Sequence, residues 1–400
     1  NGEQDLAMEH YKAAVAADSS LENYFLDQVP QYYSAQISAD EARSLLDRSL
    51  VVKPDDPLAY FYYAQIEANE GNPIQAIQHY EKTVSLDPNY ADVYFPLGDL
   101  YYDQGDRENA ARVYQKGIKL DPNLKPHFLD LGKAHFEANK FEAAIEPFDK
   151  YLMIDSENVE ATFLLGQCYQ ETEDFDSALR FYARTIELDP NHKDALIRSA
   201  RIYKLKNDPE NALVMLIRLI AIDPENVEAH YLSGLCYLGL EDNDDALVSF
   251  IETTRLDPNH IDGHFQAGLL YEQKGDFDNA VSRYERTIEL DQSKPEPFLR
   301  LGQIYFDRGD ETNVIRVWEP GLELEPNHPQ KQYHLASIFE ERDQWEKAIK
   351  HFGLANEYDP SHYDWHFRYA RLLDRHALTV EDYHLHAEMA VDEYGKTIGL

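Results

Sequence analysis

A constant spacing of 34 residues runs through most of this 400-residue chain and restricts its fold more than any other feature. Short strings that contain an acidic residue, in most cases followed by proline, carry the period. The acidic residues are Asp87, Asp121, Asp155, Asp189, Asp223, Asp257, Asp291, Glu325 and Asp359. A fixed period of this length indicates a stack of similar supersecondary units rather than a set of independent domains.

Each period is predicted to contain two helices, because apolar residues recur at three- and four-residue spacing in two separate runs. Glycines that suit a left-handed C-terminal cap lie between the runs, at Gly71, Gly105, Gly275 and Gly309. Aspartates that can cap the second helix follow them, at Asp106, Asp276 and Asp310. Proline disfavours helical geometry in the residue before it. The string LDPNH, at 188–192 and 256–260, is therefore predicted to end a helix and not to bind a ligand.

Small and aromatic residues also repeat at this period, which favours close packing of helices. Small residues of the first helix are Ala64, Gly98, Gly132, Gly166, Ala200, Gly234, Gly268, Gly302 and Ala336. Large rings of the second helix are Tyr80, Tyr114, Phe148, Tyr182, Phe250, Tyr284, Trp318 and Phe352. Pro96, Pro147 and Pro320 fall inside predicted helices, where proline either bends the helix or is tolerated locally.

In these small, aromatic and proline positions the chain resembles the tetratricopeptide repeat (TPR) family. The resemblance implies an all-α, right-handed superhelical solenoid of antiparallel helix pairs, with nine regular units over residues 57–362. Residues 1–56 are expected to form truncated and degenerate units, and residues 363–400 a degenerate capping helix pair. The Lys and Asn clamp of chaperone-binding TPR domains is absent from the corresponding positions.

The resemblance also implies a concave groove, lined by first helices, that holds peptides or proteins. Five residues into each unit stands an apolar row, which includes Phe61, Phe95, Phe163, Tyr231 and Phe265. Such a row either packs against the neighbouring helix or offers rings to a partner, and both roles are compatible.

Three cations, Arg198, Arg201 and Lys204, lie on one face of a predicted first helix. Tyr231, Leu235 and Leu238 form an apolar patch in the next unit. Together they would suit a segment with a carboxylate beside a hydrophobic side chain. The alternative is that the cations pair with neighbouring acidic residues, which are abundant here.

The net charge of −37, from 74 acidic and 37 basic residues, disfavours nucleic acid and anionic membranes as partners. The longest apolar stretch, residues 212–222, is too short to span a bilayer. The chain opens with Asn1 rather than Met, so a removed signal peptide or anchor is an open alternative. The compartment stays open, with the cytoplasm favoured.

Catalytic and metal-binding chemistry finds little support in the sequence. Cys168 and Cys236 occupy the same position two units apart, too far for a disulfide, and are expected to be buried. His362 and His366 have metal-pair spacing without a supporting motif. The acidic turn at 241–245 resembles a calcium loop but fits a helix start better. We expect no enzyme, cofactor or metal.

The sequence as a whole predicts a non-catalytic scaffold or assembly adaptor that binds proteins in its groove. Two alternatives remain open. One is a targeting or substrate-recruiting module of a larger transferase or peptidase. The other is a scaffold that self-assembles as a homo-oligomer through the groove or the end units.

Overall fold

The computed structural model describes residues 2–122, 125–377, 392 and 395. Throughout these residues the regular secondary structure is helical, without strands. The predicted all-α solenoid of consecutive helix pairs is confirmed. The chain divides into two compact units, residues 1–195 and 196–400.

Nine helix pairs follow one another between Pro57 and Tyr358. Their first helices are α3 (Pro57–Asn69), α5 (Tyr94–Asp103), α7 (Lys125–Glu137), α9 (Val159–Glu171), α11 (Lys193–Leu205), α13 (Val227–Gly239), α15 (Ile261–Gln273), α17 (Pro295–Asp307) and α19 (Pro329–Glu341). Their second helices are α4 (Pro73–Leu86), α6 (Arg107–Leu120), α8 (Phe141–Ile154), α10 (Phe175–Leu188), α12 (Pro209–Ile222), α14 (Asn243–Leu256), α16 (Phe277–Leu290), α18 (Glu311–Leu324) and α20 (Trp345–Tyr358).

The ends of the chain depart from this pattern. α1 (Gly2–Ala17) precedes two short 3-10 helices, Ser19–Leu21 and Leu26–Tyr32, and then α2 (Ala39–Val52). The second 3-10 helix contains Pro30 and takes the place of a first helix. At the other end α21 (Tyr363–Ala377) is the first helix of the predicted capping pair. The predicted second helix lies outside the described residues, apart from residues 392 and 395.

The turn between the two helices of each pair adopts the left-handed backbone conformation at a fixed position. The four predicted glycines do so, with Gly275 at φ +75° as an example. Five other residues at the same position, spaced by the period, also have positive φ: Asn139, Glu173, Asn207, Glu241 and Asp343. The position is therefore set by the geometry of the helix pair, and glycine is only the least strained way to fill it.

The LDPNH string ends one helix and also begins the next. At its start, the Asp189 carboxylate accepts a hydrogen bond from the Asn191 backbone amide at 3.0 Å, which tightens the turn. At its end, His260 Nδ1 accepts a hydrogen bond from the Gly263 backbone amide at 3.0 Å and caps α15. The helix-ending role is confirmed, and the capping role of the histidine is new.

The caps predicted for the second helices are also confirmed. Asp106, Asp276 and Asp310 each accept a hydrogen bond from the backbone amide three residues later. Asp242 does the same for Asp245, so the acidic turn at 241–245 begins α14. These carboxylates satisfy amides that have no partner inside their helix.

The small residues of the first helices face the rings of the second helices, as predicted. A Cβ atom built on Gly268 would lie 2.7 Å from the Tyr284 ring, which is fully buried. Gly302 meets the fully buried Trp318 in the same way. The core of residues 196–400 grows from such contacts, around Phe250 in one cluster and Trp318 in another.

Of the three interior prolines, Pro96 differs from the sequence expectation. α5 begins at Tyr94, so Pro96 lies in its first turn, where no intrahelical partner needs the missing amide. Residues Ala91–Val93 form a 3-10 turn instead, and the helix is shorter than its counterparts. α8 and α18 continue through Pro147 and Pro320.

Candidate partner-binding face

The face that the sequence singled out is built by α11 and α13, and an ion pair joins the two helices. Arg201 donates from Nε and Nη2 to the Glu228 carboxylate, at 2.7 and 2.6 Å. Glu228 lies in the first turn of α13, where the helix dipole also favours a negative charge. The ion pair therefore links α11, which carries the three cations, to α13, which carries the apolar residues.

The pairing of Arg201 repeats an interaction found two units earlier. Lys133 and Glu160, each 68 residues before its counterpart, form an ion pair at 2.7 Å. Arg201 thus has a structural partner, as the alternative interpretation of these cations expected. Arg201 and Glu228 remain about half exposed, at 48% and 44% of their side chains.

The other two cations lie on the same helix as Arg201. Arg198 is half-buried and Lys204 is exposed. Lys204 forms no ion pair with any residue that the structure describes. Burial raises the pKa of the Cys236 thiol in α13, and the positive charge of Lys204 opposes this rise. The charge of Lys204 therefore acts on α13. Lys204 is consequently an exposed cation of α11.

The apolar patch on α13 is half-buried. Tyr231, Leu235 and Leu238 pack on one side against the core around Phe250. The Tyr231 ring lies 4.6 Å from the His260 ring, between centroids. Burial, followed by the charge of Asp262, raises the pKa of the Tyr231 hydroxyl. Each of the three side chains therefore remains partly exposed.

The remaining rings of the row have the same packing in each unit. Phe265 contacts Tyr284 at 6.0 Å between centroids. In residues 1–195 the corresponding pairs are Phe61 with Tyr80, Phe95 with Tyr114 and Phe163 with Tyr182, at 5.8, 5.5 and 5.7 Å. Phe61 is only 8% exposed and serves mainly the core. The row is thus internal packing first, with partly exposed edges at Phe95, Phe163 and Phe265.

The sequence did not indicate a cavity that is lined by residues of α17, α18, α19 and α21. Phe306, Tyr333, His334, Ser337 and Arg368 belong to its lining. Arg368 donates to the Tyr333 hydroxyl at 3.2 Å and to Ser337 Oγ at 2.9 Å. The sequence gives only a weak indication of this cavity. The repeat positions of Phe306 and Ser337 hold polar residues in some units and apolar residues in others.

The cysteines that were considered for catalysis are buried, and the histidines that were considered for metal binding contact neighbouring groups of the fold. Cys168 and Cys236 are buried free thiols, and burial raises the pKa of Cys168 to about 12. His366 Nε2 contacts the Pro360 carbonyl at 3.1 Å, whereas His362 faces Asp359. Across the residues with described positions, no three or more His, Cys, Asp or Glu form a group that could hold a metal ion. Within the same part of the chain, no helix combines the length and apolarity that crossing a membrane requires.

Comparison with protein families identifies the class of the chain. A family model described as "TPR repeat" matches residues 64–105, 98–138 and 268–309. Two described as "Tetratricopeptide repeat" match residues 135–201 and 197–261. Together these matches cover more than half of the chain, which therefore belongs to the tetratricopeptide repeat family. In general terms it is a protein-interaction repeat protein.

Solved structures with a similar fold include several entitled MamA. One, "Crystal structure of MamA protein", has 26% sequence identity and a TM-score of 0.40, and the match covers 43% of this chain and 94% of that one. Another, "MamA 41-end from Desulfovibrio magneticus RS-1", has 22% identity and a TM-score of 0.39, with 42% and 96% covered. A comparison with curated proteins gave no match.

Proposed function

We propose that this chain is a non-catalytic scaffold that holds a partner segment against α11 and α13. The segment presents a carboxylate beside an apolar side chain. Lys204 and Arg198 attract the carboxylate, and Tyr231, Leu235 and Leu238 contact the apolar side chain. Phe265 extends the apolar surface to the next unit, and the edges of Phe95 and Phe163 offer similar contacts in residues 1–195.

The observation that carries this proposal is the ion pair between Arg201 and Glu228. It joins the two helices, so that a cation and a half-exposed apolar surface occur together in a strongly acidic chain. An acidic segment would be repelled by most of the chain but attracted here, which supports selection of one position. Arg201 contributes chiefly by holding α11 to α13.

The proposal is tested with peptides selected by display on the full chain from a random library. Selected peptides are labelled, and their affinities are measured by fluorescence anisotropy. Lys204→Glu reverses the available charge, and Leu238→Glu removes the apolar contact. The second change is compatible with the fold, because Glu272 and Glu340 occupy the equivalent position in α15 and α19. Lys116→Glu, an exposed residue of α6, is the matched control for charge.

We expect acidic-apolar peptides to be enriched and each groove variant to weaken their binding by about 10-fold. Lys116→Glu should leave the affinity within about 2-fold of the parent. Equal binding to all variants would place the peptides elsewhere and refute the proposal. Enrichment of basic peptides alone would refute the charge assignment.

A further inference from the structure

An apolar face on α12 and α14 stands out from the repeat pattern. Val214 and Ile217 of α12 are 50% and 56% exposed, and Val248 of α14 is 64% exposed. Ile251 is half-buried beside Val248. We refer to these four side chains as the α12/α14 face, which lies wholly within residues 196–400. Both helices pack against α13.

The same positions are largely polar in the other repeats. The position of Val214 and Val248 is held elsewhere by Gln78, Arg112, Glu146, Arg180, Ser282, Arg316 and Lys350. The position of Ile217 and Ile251 is held elsewhere by Glu81, Gln115, Asp149, Ala183, Glu285, Glu319 and Gly353. Tertiary packing of a repeat therefore does not require an apolar residue at either position.

Several of those polar residues form ion pairs between neighbouring units. Arg316 pairs with Glu285 at 2.8 Å, and Lys347 pairs with Glu319 at 2.6 Å. Arg107 pairs with Asp149 at 2.6 Å. α12 and α14 replace this network with valine and isoleucine in two consecutive repeats. Exposed apolar side chains that cluster in this way mark interaction surfaces in soluble proteins.

The charges around the face define what can cover it. Glu210, Glu241, Asp244 and Asp245 lie in the first turns of the two helices or just before them, and all four are exposed. Lys274 pairs with Asp244 and neutralises one of them. These carboxylates favour a covering segment that carries basic residues.

We propose that the α12/α14 face docks an amphipathic helix of a partner protein, with an apolar stripe along one side and Lys or Arg residues at its end. The apolar stripe covers Val214, Ile217 and Val248, and the basic residues meet the carboxylates around Asp245. Recognition of this kind uses apolar anchors at three- and four-residue spacing. This face is separate from the groove residues on α11 and α13 and does not depend on them.

The proposal is tested by calorimetry with two synthetic stapled 18-residue helices. Both carry the same leucine stripe, but one has lysines at the flanking positions and the other has glutamates. The full chain is titrated at about 0.15 M salt, where long-range attraction is screened. The principal variant is Val214→Arg with Ile217→Glu, which installs the pair that α18 carries as Arg316 and Glu319. Val248→Arg is a second, independent variant.

Ile74→Arg is the matched control, since Ile74 is 64% exposed on α4 and lies outside the face. Lys116→Glu, at an exposed position of α6 outside both surfaces, serves as a control for charge. Circular dichroism and thermal unfolding of every variant establish that it folds. Arg is the residue that α6, α10 and α18 carry at the position of Val248, so this change preserves the repeat pattern.

We expect the lysine-flanked helix to bind the parent with a negative heat-capacity change, which accompanies burial of apolar surface. Each face variant should weaken binding by about 10-fold or more, and the two controls should leave it unchanged. The glutamate-flanked helix should bind about 10-fold more weakly than the lysine-flanked one.

Three results would overturn the inference. Equal binding of the lysine-flanked helix to the parent and the face variants would mean that the helix is held only by general attraction to an acidic chain. Absence of binding by both helices would remove the docking role. Sedimentation that shows a dimer of the parent, dispersed by Val214→Arg with Ile217→Glu, would identify a second copy as the occupant.

Discussion

Single side chains hold the turns between repeats by contacts that recur at the period. The carbonyl of the proline that ends one unit accepts a hydrogen bond from a residue six positions later. Tyr94 donates from its hydroxyl to Pro88 at 2.7 Å, His264 from Nε2 to Pro258 at 3.1 Å, and Gln332 from Nε2 to Pro326 at 3.0 Å. Tyr, His and Gln have in common only a hydrogen-bond donor at a similar distance from the backbone. This repeated contact is therefore hard to predict from residue types.

His351 of α20 is the residue with the clearest consequence for pH dependence. It is 1% exposed and stacks on Phe339, and its Nδ1 hydrogen-bonds to Gln332 Oε1 at 2.6 Å. Because Gln332 Nε2 donates to Pro326, its Oε1 accepts from the neutral histidine. Burial lowers the pKa of His351 to about 4.

We predict that stability falls as pH decreases from about 6.5 to about 4, because only the unfolded chain then binds a proton at this site. Across that window, protonation of His351 in the unfolded chain should lower the free energy of unfolding by about 3 kcal/mol. Above the window this effect should be absent. His351→Met, with the residue that α12 carries as Met215 at this position, should lose less stability than the parent on acidification. Urea unfolding at pH 7, 6 and 5 measures the difference. Parallel curves for parent and variant would contradict the prediction.

Helix pairs depend on the close approach of a small residue and a ring. Trp318 is fully buried against Gly302, and its Nε1 donates to the Leu299 carbonyl at 3.1 Å. The ring is therefore held from two sides and cannot move away freely. The next unit combines Ala336 with the smaller ring of Phe352 at the same positions.

We predict that Gly302→Ala lowers the free energy of unfolding by about 2 kcal/mol, because the added methyl group overpacks the contact with Trp318. In the background of Trp318→Phe the same change should cost less than half as much, since the pair then matches Ala336 and Phe352. Chemical unfolding of the four members of this cycle gives both values. Ser282→Ala, at an exposed position of α16, controls for the general effect of alanine. Additive costs would show that Trp318 is not the obstacle.

Charge is the dominant property at the scale of the whole molecule. Acidic residues outnumber basic ones two to one, 74 to 37, so ion pairs cannot neutralise most carboxylates. Exposed pairs such as Arg308 with Asp278 contribute little each and are screened by salt. Repulsion among the unpaired carboxylates opposes the folded state and is screened as well.

We predict that the screening of carboxylate repulsion outweighs the screening of ion pairs. The thermal midpoint should then rise by several degrees between about 20 mM and about 300 mM NaCl. The measurement is thermal unfolding followed by circular dichroism at constant pH. Sucrose at the same osmolality serves as the uncharged control. A midpoint that decreases with salt would mean that the ion pairs between repeats outweigh the repulsion.

Most of the fold could be predicted because it follows from a repeated local pattern in the sequence. The period, the helix ends, the aspartate caps and the contacts of small residues with rings depend on neighbours in sequence or on one adjacent helix. Pro96 was misplaced because the exact start of a helix depends on which turn can lack an amide, and pattern alone leaves that open.

The amino-acid sequence by itself determined the family and the helical repeat, and it predicted which residues face a partner. Only the tertiary structure decided which of those residues are available. It paired Arg201 with Glu228, left Lys204 exposed, placed Phe61 in the core and exposed Val214, Ile217 and Val248. The physical reason is that this burial and charge pairing arise between residues on different helices, whereas helix periodicity and capping arise within one turn.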